Sequence, residues 1–172
     1  MQLKKANINM SSNFNLNTLK GRLAEQLIQD LFINNGYNVF NYGLERIHPS
    51  LSSMLANNHH QTSKELRFMP DFVVQSTQNG DLFYLEVKFR ANGTFGFDER
   101  FENYPYKNAW FVIVSPNKIQ CMHYRHLAKG NMITPESSYT LGRVRSFHFN
   151  AESIQEYTEY ARLLFGAFNT GK

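Results

Sequence analysis

The strongest constraint in the chain is the pair Asn79-Gly80, set between two apolar-rich runs, Phe68–Gln75 and Leu82–Phe89. Asn-Gly is the pair that most readily supplies positive φ at both centres of a type I′ turn, whose twist matches two antiparallel strands. The spacing therefore predicts a hairpin. With Asn79 and Gly80 as its two loop residues, Gln78 faces Asp81, Val73 faces Glu86 and Asp71 faces Lys88. Alternate residues of a strand share a face. Tyr84, Glu86 and Lys88 then point one way with Asp71, while Phe72, Val74, Leu85, Val87 and Phe89 point the other way into apolar packing.

Around the hairpin the pattern alternates between helix and strand. Leu16, Leu19, Leu23, Leu27, Ile28 and Leu31 recur at steps of three and four, and Asn34-Asn35-Gly36 supplies a stop, which predicts a helix over 16–34. Residues 1–15 are polar and rich in Asn and Ser, and read as a flexible lead-in to one domain over 16–172. Tyr37–Tyr42 alternates as a strand, and Gly43 opens a long connection to about Leu66 in which 48–55 suits a short helix with Pro49 near its first turn. Ala109–Val114 reads as a buried strand, Ile119–Tyr124 as its neighbour, and Val144–Phe149 as a weaker strand. Asn150 caps a last helix over 151–165 with Ile154, Tyr157, Ala161, Leu164 and Phe165 on one face. The fold class expected is α/β: a central mixed sheet flanked by helices.

Composition narrows the function classes. Hydrophobic residues make up 42% of the 172 and aromatics 15%, too many for a disordered chain. The formal charge of +4 permits an anionic partner without demanding one. A single cysteine, Cys121, excludes a disulfide framework. With no signal-peptide pattern and no apolar run of membrane-spanning length, the expected setting is cytoplasmic, with no membrane partner.

The chemistry is concentrated on the hairpin. Two carboxylates on a half-buried sheet repel each other and lose hydration, and one lysine does not neutralise both. A divalent cation supplies the missing charge, and all-oxygen ligation selects a hard one: Mg²⁺ by availability, with Mn²⁺ as a substitute. Pro70-Asp71, fourteen intervening residues and Glu86-Val87-Lys88 resemble the PD-(D/E)xK signature of restriction-endonuclease-like nucleases. Gly21-Arg22-Leu23-Ala24-Glu25, followed by Asn35-Gly36-Tyr37, is similar to the first helix and strand of Holliday-junction-resolvase-like members.

The resemblance covers about residues 18–122. It implies a restriction-endonuclease-like core and Mg²⁺-dependent hydrolysis of DNA phosphodiesters by an endonuclease. It also implies Asp71, Glu86 and the Val87 carbonyl as metal ligands, Glu25 as a helix acid near the metal, and Lys88 as the catalytic lysine. The implied partner is DNA, and because resolvase-like relatives commonly act as dimers, a homodimer is an expected assembly. The connection over 43–66 is longer than in compact members of that kind.

Arg90, Arg100, Lys107, Arg143 and Arg145 are the candidate contacts to nucleic-acid phosphates, with Phe95, Phe97, Tyr104 and Tyr106 flanking Arg100 and Lys107. Arg143 and Arg145 share a face of the strand expected there. His59, His60, Cys121 and His123 lack the paired spacing of a zinc site. Two other classes of function compete with the nuclease. One is a nuclease-fold module that binds DNA or a junction without cutting it; the other is a protein-interaction subunit of a defence or mobile-element system.

Overall fold

The computed structural model describes residues 2–43, 50, 54–55, 58–166 and 168, with side chains from Asn15 onward, Arg100 excepted. Helix α1 spans Gln2–Asn34 and strand β1 Tyr37–Asn41, and the short helix α2 spans Gln61–Arg67. Strands β2 (Phe72–Ser76) and β3 (Leu82–Phe89) follow, then β4 (Ala109–Val114), β5 (Ile119–His123) and the turn-length helix α3 (Tyr124–Leu127). Helix α4 spans Ala151–Gly166. The five strands form one sheet in the order β1-β2-β3-β4-β5, antiparallel throughout except for the parallel pair β3-β4. The protein is thus α/β, with a five-stranded mixed sheet flanked by helices.

Each face of the sheet carries its own core. On the first, Phe72, Val74, Leu85, Val87, Val112 and Val114 meet Ala24, Leu27, Ile28, Leu31 and Phe32 of α1 and Tyr157, Ala161 and Phe165 of α4. On the second, Phe111, Ile113 and Met122 meet Phe95 and Tyr104 from the β3–β4 connection and Leu127 of α3. Long helices cover one face; the crossover and short helices cover the other. The crossover over 90–108 holds only a single 3-10 turn, Glu99–Phe101, where a parallel connection more often carries a full helix.

Helix α1 stops where expected. Gly36 takes φ +80°, and the N–H groups of Asn35 and Gly36 donate to the carbonyls of Phe32 and Ile33 at 3.1 Å each. Its far end differs from expectation, because the helix begins at Gln2 rather than near Leu16. Residues 2–20 contain neither Gly nor Pro, and a helix nucleated on a packed face extends at little cost per residue. The buried stripe of α1 also turns slightly from the expected one, taking in Ala24 and Phe32 and leaving Leu19 exposed.

Two aromatic contacts lock α1 to the C-terminal region. Phe32 meets Phe147 and Phe149 edge-on at 5.3 and 4.9 Å, and Tyr37 Oη accepts from the His148 N–H at 2.8 Å. This packing is why 144–149 is not the expected strand: its aromatics turn into the α1 core and only the 3-10 turn Leu141–Arg143 precedes them. Asn150 does cap α4, accepting from the Glu152 N–H at 2.9 Å. Phe32→Ala is expected to cost about 3–5 kcal/mol by leaving a cavity between α1 and these rings, read as a lower denaturant midpoint.

In the 43–66 connection, the short helix expected at 48–55 lies largely outside the described residues. The segment ends in α2, which carries no apolar periodicity and starts on a side-chain cap: His60 Nδ1 accepts from the Thr62 N–H at 3.4 Å.

Candidate functional site

The hairpin forms, but through a different turn. Ser76 and Asp81 close a four-residue loop, Thr77–Gly80, in which the Gly80 N–H donates to the Ser76 carbonyl and the Ser76 N–H to the Asp81 carbonyl, both at 2.9 Å. Among the described residues only glycines have positive φ, and here it is Gly80 alone, at +78°. Asn79 stays in the ordinary region and instead uses its side chain, Oδ1 accepting from the Asp81 N–H at 3.1 Å. The longer loop moves the register by two residues from the expected one. Val73 now faces Tyr84 and Phe72 faces Leu85, so one step further Asp71 faces Glu86 rather than Lys88. A shift of two preserves the alternation, and the face predicted for each side chain is retained.

The shifted register draws the two acids together. Asp71 and Glu86 become direct cross-strand neighbours, and Asp71 Oδ2 accepts the Val87 N–H at 2.7 Å. Lys88 Nζ makes an ion pair with Glu86 Oε1, with the side chains 32% and 12% exposed respectively. Burial pushes the Asp71 carboxyl well above its ordinary range; the Glu86 charge adds to this, Lys88 opposes it, Glu25 adds a smaller push and the Val87 N–H opposes it. Burial also disfavours the charged form of Lys88, but the Glu86 and Asp71 charges outweigh it and raise the ammonium's pKa, with Arg90 acting against them.

Glu25 sits on α1, whose buried side chains pack on the opposite face of the sheet, and its charge acts on Asp71. Among the described residues no three His, Cys, Asp or Glu side chains converge tightly enough to hold a metal ion by themselves. The donor set still suits a hard divalent cation. Two carboxylates beside one lysine leave one unit of negative charge, and Mg²⁺ keeps several of its own waters and takes only one or two carboxylates. Asp71 and Glu86 are the residues that would hold it; Val87 is seen to contribute its N–H, to Asp71.

A residue that the sequence offers only as an aromatic flank of the basic candidates lies within the field of the same acids. Tyr104, from the β3–β4 crossover, is 1% exposed, and its hydroxyl is a buried polar atom with no hydrogen-bond partner. Burial first, and then the charges of Glu86 and Asp71, push its pKa far up, which keeps it a neutral O–H donor within the field of the two carboxylates. Its spacing to Glu86 carries no motif, so only the folded crossover brings it in. Tyr104→Phe is expected to leave the fold intact and raise its stability by about 1 kcal/mol, because it removes an unsatisfied buried hydroxyl; thermal melts check this. Beside it, Tyr42, Tyr84 and Tyr106 form a half-buried aromatic group with ring centroids 5.2–6.2 Å apart.

The basic candidates divide. Arg90 is close enough to Lys88 for its charge to act on it, and its guanidinium lies 5.4 Å over the Phe95 ring. Lys107 is exposed on the segment leading into β4. The Arg100 side chain lies outside the described residues. Arg143 and Arg145 are not on a strand and line a cleft with Trp110, whose side chain belongs to the other face of the sheet. Phe95 and Tyr104, considered as a nucleic-acid surface, are buried in the second core. Cys121 is buried, and burial pushes its thiol pKa up. No described helix is long and apolar enough to cross a membrane.

No protein-family model, no curated protein and no solved structure matches this chain.

Proposed function

We propose that the protein is a Mg²⁺-dependent DNA endonuclease of the restriction-endonuclease-like kind, with Asp71, Glu86 and Lys88 as its catalytic residues. The single observation that carries this reading is the cross-strand pairing of Asp71 with Glu86, two residues from a lysine on the same face. An arrangement in which burial and a neighbouring carboxylate strain Asp71 toward protonation costs stability, and it is retained where the charge is used. Mn²⁺ serves as a substitute ion, and the Val87 carbonyl is a third ligand in this reading.

When bound, the divalent ion supplies a Lewis acid for a phosphate oxygen and makes a nearby water more acidic. Asp71 and Glu86 would hold it on the face of β3 that Lys88 shares. Lys88, kept cationic by the two acids, orients the attacking water and offsets charge that develops on the phosphoryl oxygens. Tyr104 donates its hydroxyl to an oxygen between the carboxylates, which gives its proton the partner it lacks. Glu25 adds negative field from α1 and strengthens cation binding. Arg90 and Lys107 flank the DNA backbone.

The test is plasmid nicking and cleavage of linear, flapped and four-way-junction DNA with Mg²⁺ or Mn²⁺, each against a chelator control. Strand breaks that need the ion support the reading. Intact DNA of every form with both ions overturns it, and a gel shift under the same conditions then favours a binding module.

A further inference from the structure

The loop that follows α3 folds back along β5, the edge strand of the sheet. Tyr139 O accepts from the Cys121 N–H at 2.8 Å, and Gln120 bridges Thr140. Between this returning segment and the end of the sheet lies a cleft of about 600 Å³. That volume suits a small organic ligand. Its walls include Trp110, His123, His126, Tyr139, Arg143 and Arg145, and no Asp or Glu lines it.

The charge in this cleft is unbalanced. Arg143 and Arg145 are exposed, and among the described residues neither guanidinium has a hydrogen bond or an ion pair. His126 adds a third basic group. His123 Nδ1 accepts from the Arg125 N–H at 3.1 Å, which leaves Nε2 to carry the ring proton as a donor. Burial, Arg125 and His126 lower the pKa of His123, as expected where positive charge gathers without a counter-ion. The floor is aromatic: Trp110 is half-buried and meets the His123 ring edge-on at 4.8 Å.

Unpaired guanidiniums present planar forks that match phosphate oxygens, and an indole beside them offers a flat apolar surface to an aromatic base. We propose that this cleft binds a nucleoside phosphate, with the phosphate on Arg143 and Arg145 and the base against Trp110 and Tyr139. The ligand is a free nucleotide or the phosphorylated terminal nucleotide of a strand; the chemistry recognised is the same. The cleft lies at the β5 edge of the sheet, whereas Asp71 and Glu86 pair across β2 and β3. It is a second site and does not depend on the nuclease reading.

Trp110 is the only tryptophan in the chain, so its fluorescence reports directly on the cleft. The full chain is titrated with adenosine monophosphate, with a 5′-phosphorylated single-stranded oligonucleotide and with inorganic phosphate, and each titration is repeated by calorimetry. A saturable fluorescence change with the mononucleotide, weakened about tenfold or more in Arg143→Ala/Arg145→Ala and retained in Asp71→Asn, supports a free-nucleotide site. The same pattern with the oligonucleotide alone supports a strand-end site. Equal affinity for inorganic phosphate overturns the role of the base. Calorimetric binding that leaves Trp110 unperturbed, binding undiminished in the double arginine variant, or no binding of any of the three overturns the site. Both arginines are exposed, so the double variant tests recognition rather than folding.

Discussion

Asp71→Asn and Glu86→Gln are each expected to lower Mg²⁺-supported DNA cleavage by at least about a hundredfold, while gel-shift affinity for DNA stays within a few-fold. Each substitution keeps the shape of the side chain and removes one of the two charges that hold the cation. The amide introduced by Asp71→Asn retains an oxygen able to accept the Val87 N–H, now 2.7 Å from Asp71 Oδ2. The loss is therefore chemical rather than structural. Cleavage unchanged in either variant would sink the nuclease assignment.

The same Asp71→Asn change is expected to make the fold more stable at neutral pH. Burial and Glu86 raise the Asp71 pKa in the folded state above its unfolded value of about 3.9. Between those two values the native state binds the extra proton, so stability falls as pH rises through the window. The amide of the variant takes up no such proton. Melting temperatures between pH 4 and pH 8 are expected to fall with rising pH in the parent and to flatten in the variant, which melts higher at pH 7. A variant that melts lower at pH 7 would show that the carboxylate is well compensated in the resting protein.

Lys88→Met is expected to have the largest effect on stability near the site. It removes the ammonium paired with Glu86 and leaves two carboxylates facing each other across β2 and β3. Breaking a buried pair costs about 3–5 kcal/mol. With about a third of the Lys88 side chain exposed, the lower end applies, about 3 kcal/mol at pH 7. For a chain of this size that is a drop of about 6–12 °C in melting temperature.

The sign with pH separates this from lost packing. The folded-state pKa of Lys88 is raised, so its contribution is complete below the ordinary lysine value of about 10.4 and fades as pH rises through the folded value. In the variant the penalty shrinks at acid pH, where Asp71 takes up its proton first because its pKa is raised. Denaturant unfolding at pH 7 and pH 4.5 reads the difference. A penalty equal at both pH values would assign it to the methylene packing of the lysine instead.

Much of the fold is legible in local sequence because the signals are local. The Asn35-Gly36 stop, the apolar run over 109–114 and the Asn150 cap act within a few residues of themselves, and each appears where expected. Alternation is equally readable: Asp71, Glu86 and Lys88 share a face under any even register, so a turn two residues longer than expected leaves the face intact. The α2 helix is not readable, because Gln61–Arg67 has no apolar stripe and rests on a histidine cap. The strand expected at 144–149 fails for the converse reason, since Phe147 and Phe149 are drawn to Phe32 and away from the sheet edge.

By itself the sequence determined the long helices, the five sheet strands and their order, and the set of charged side chains that share one face of β3, because periodicity and turn chemistry operate along the chain. Tertiary structure alone decided which acid faces which and brought the charge of Glu25 to bear on Asp71. It also brought Tyr104 into the field of the carboxylates and Arg143 and Arg145 to one cleft with Trp110. Those outcomes depend on the loop at 77–80, the crossover over 90–108 and the return along β5, where contacts between distant residues rather than local preference select the conformation.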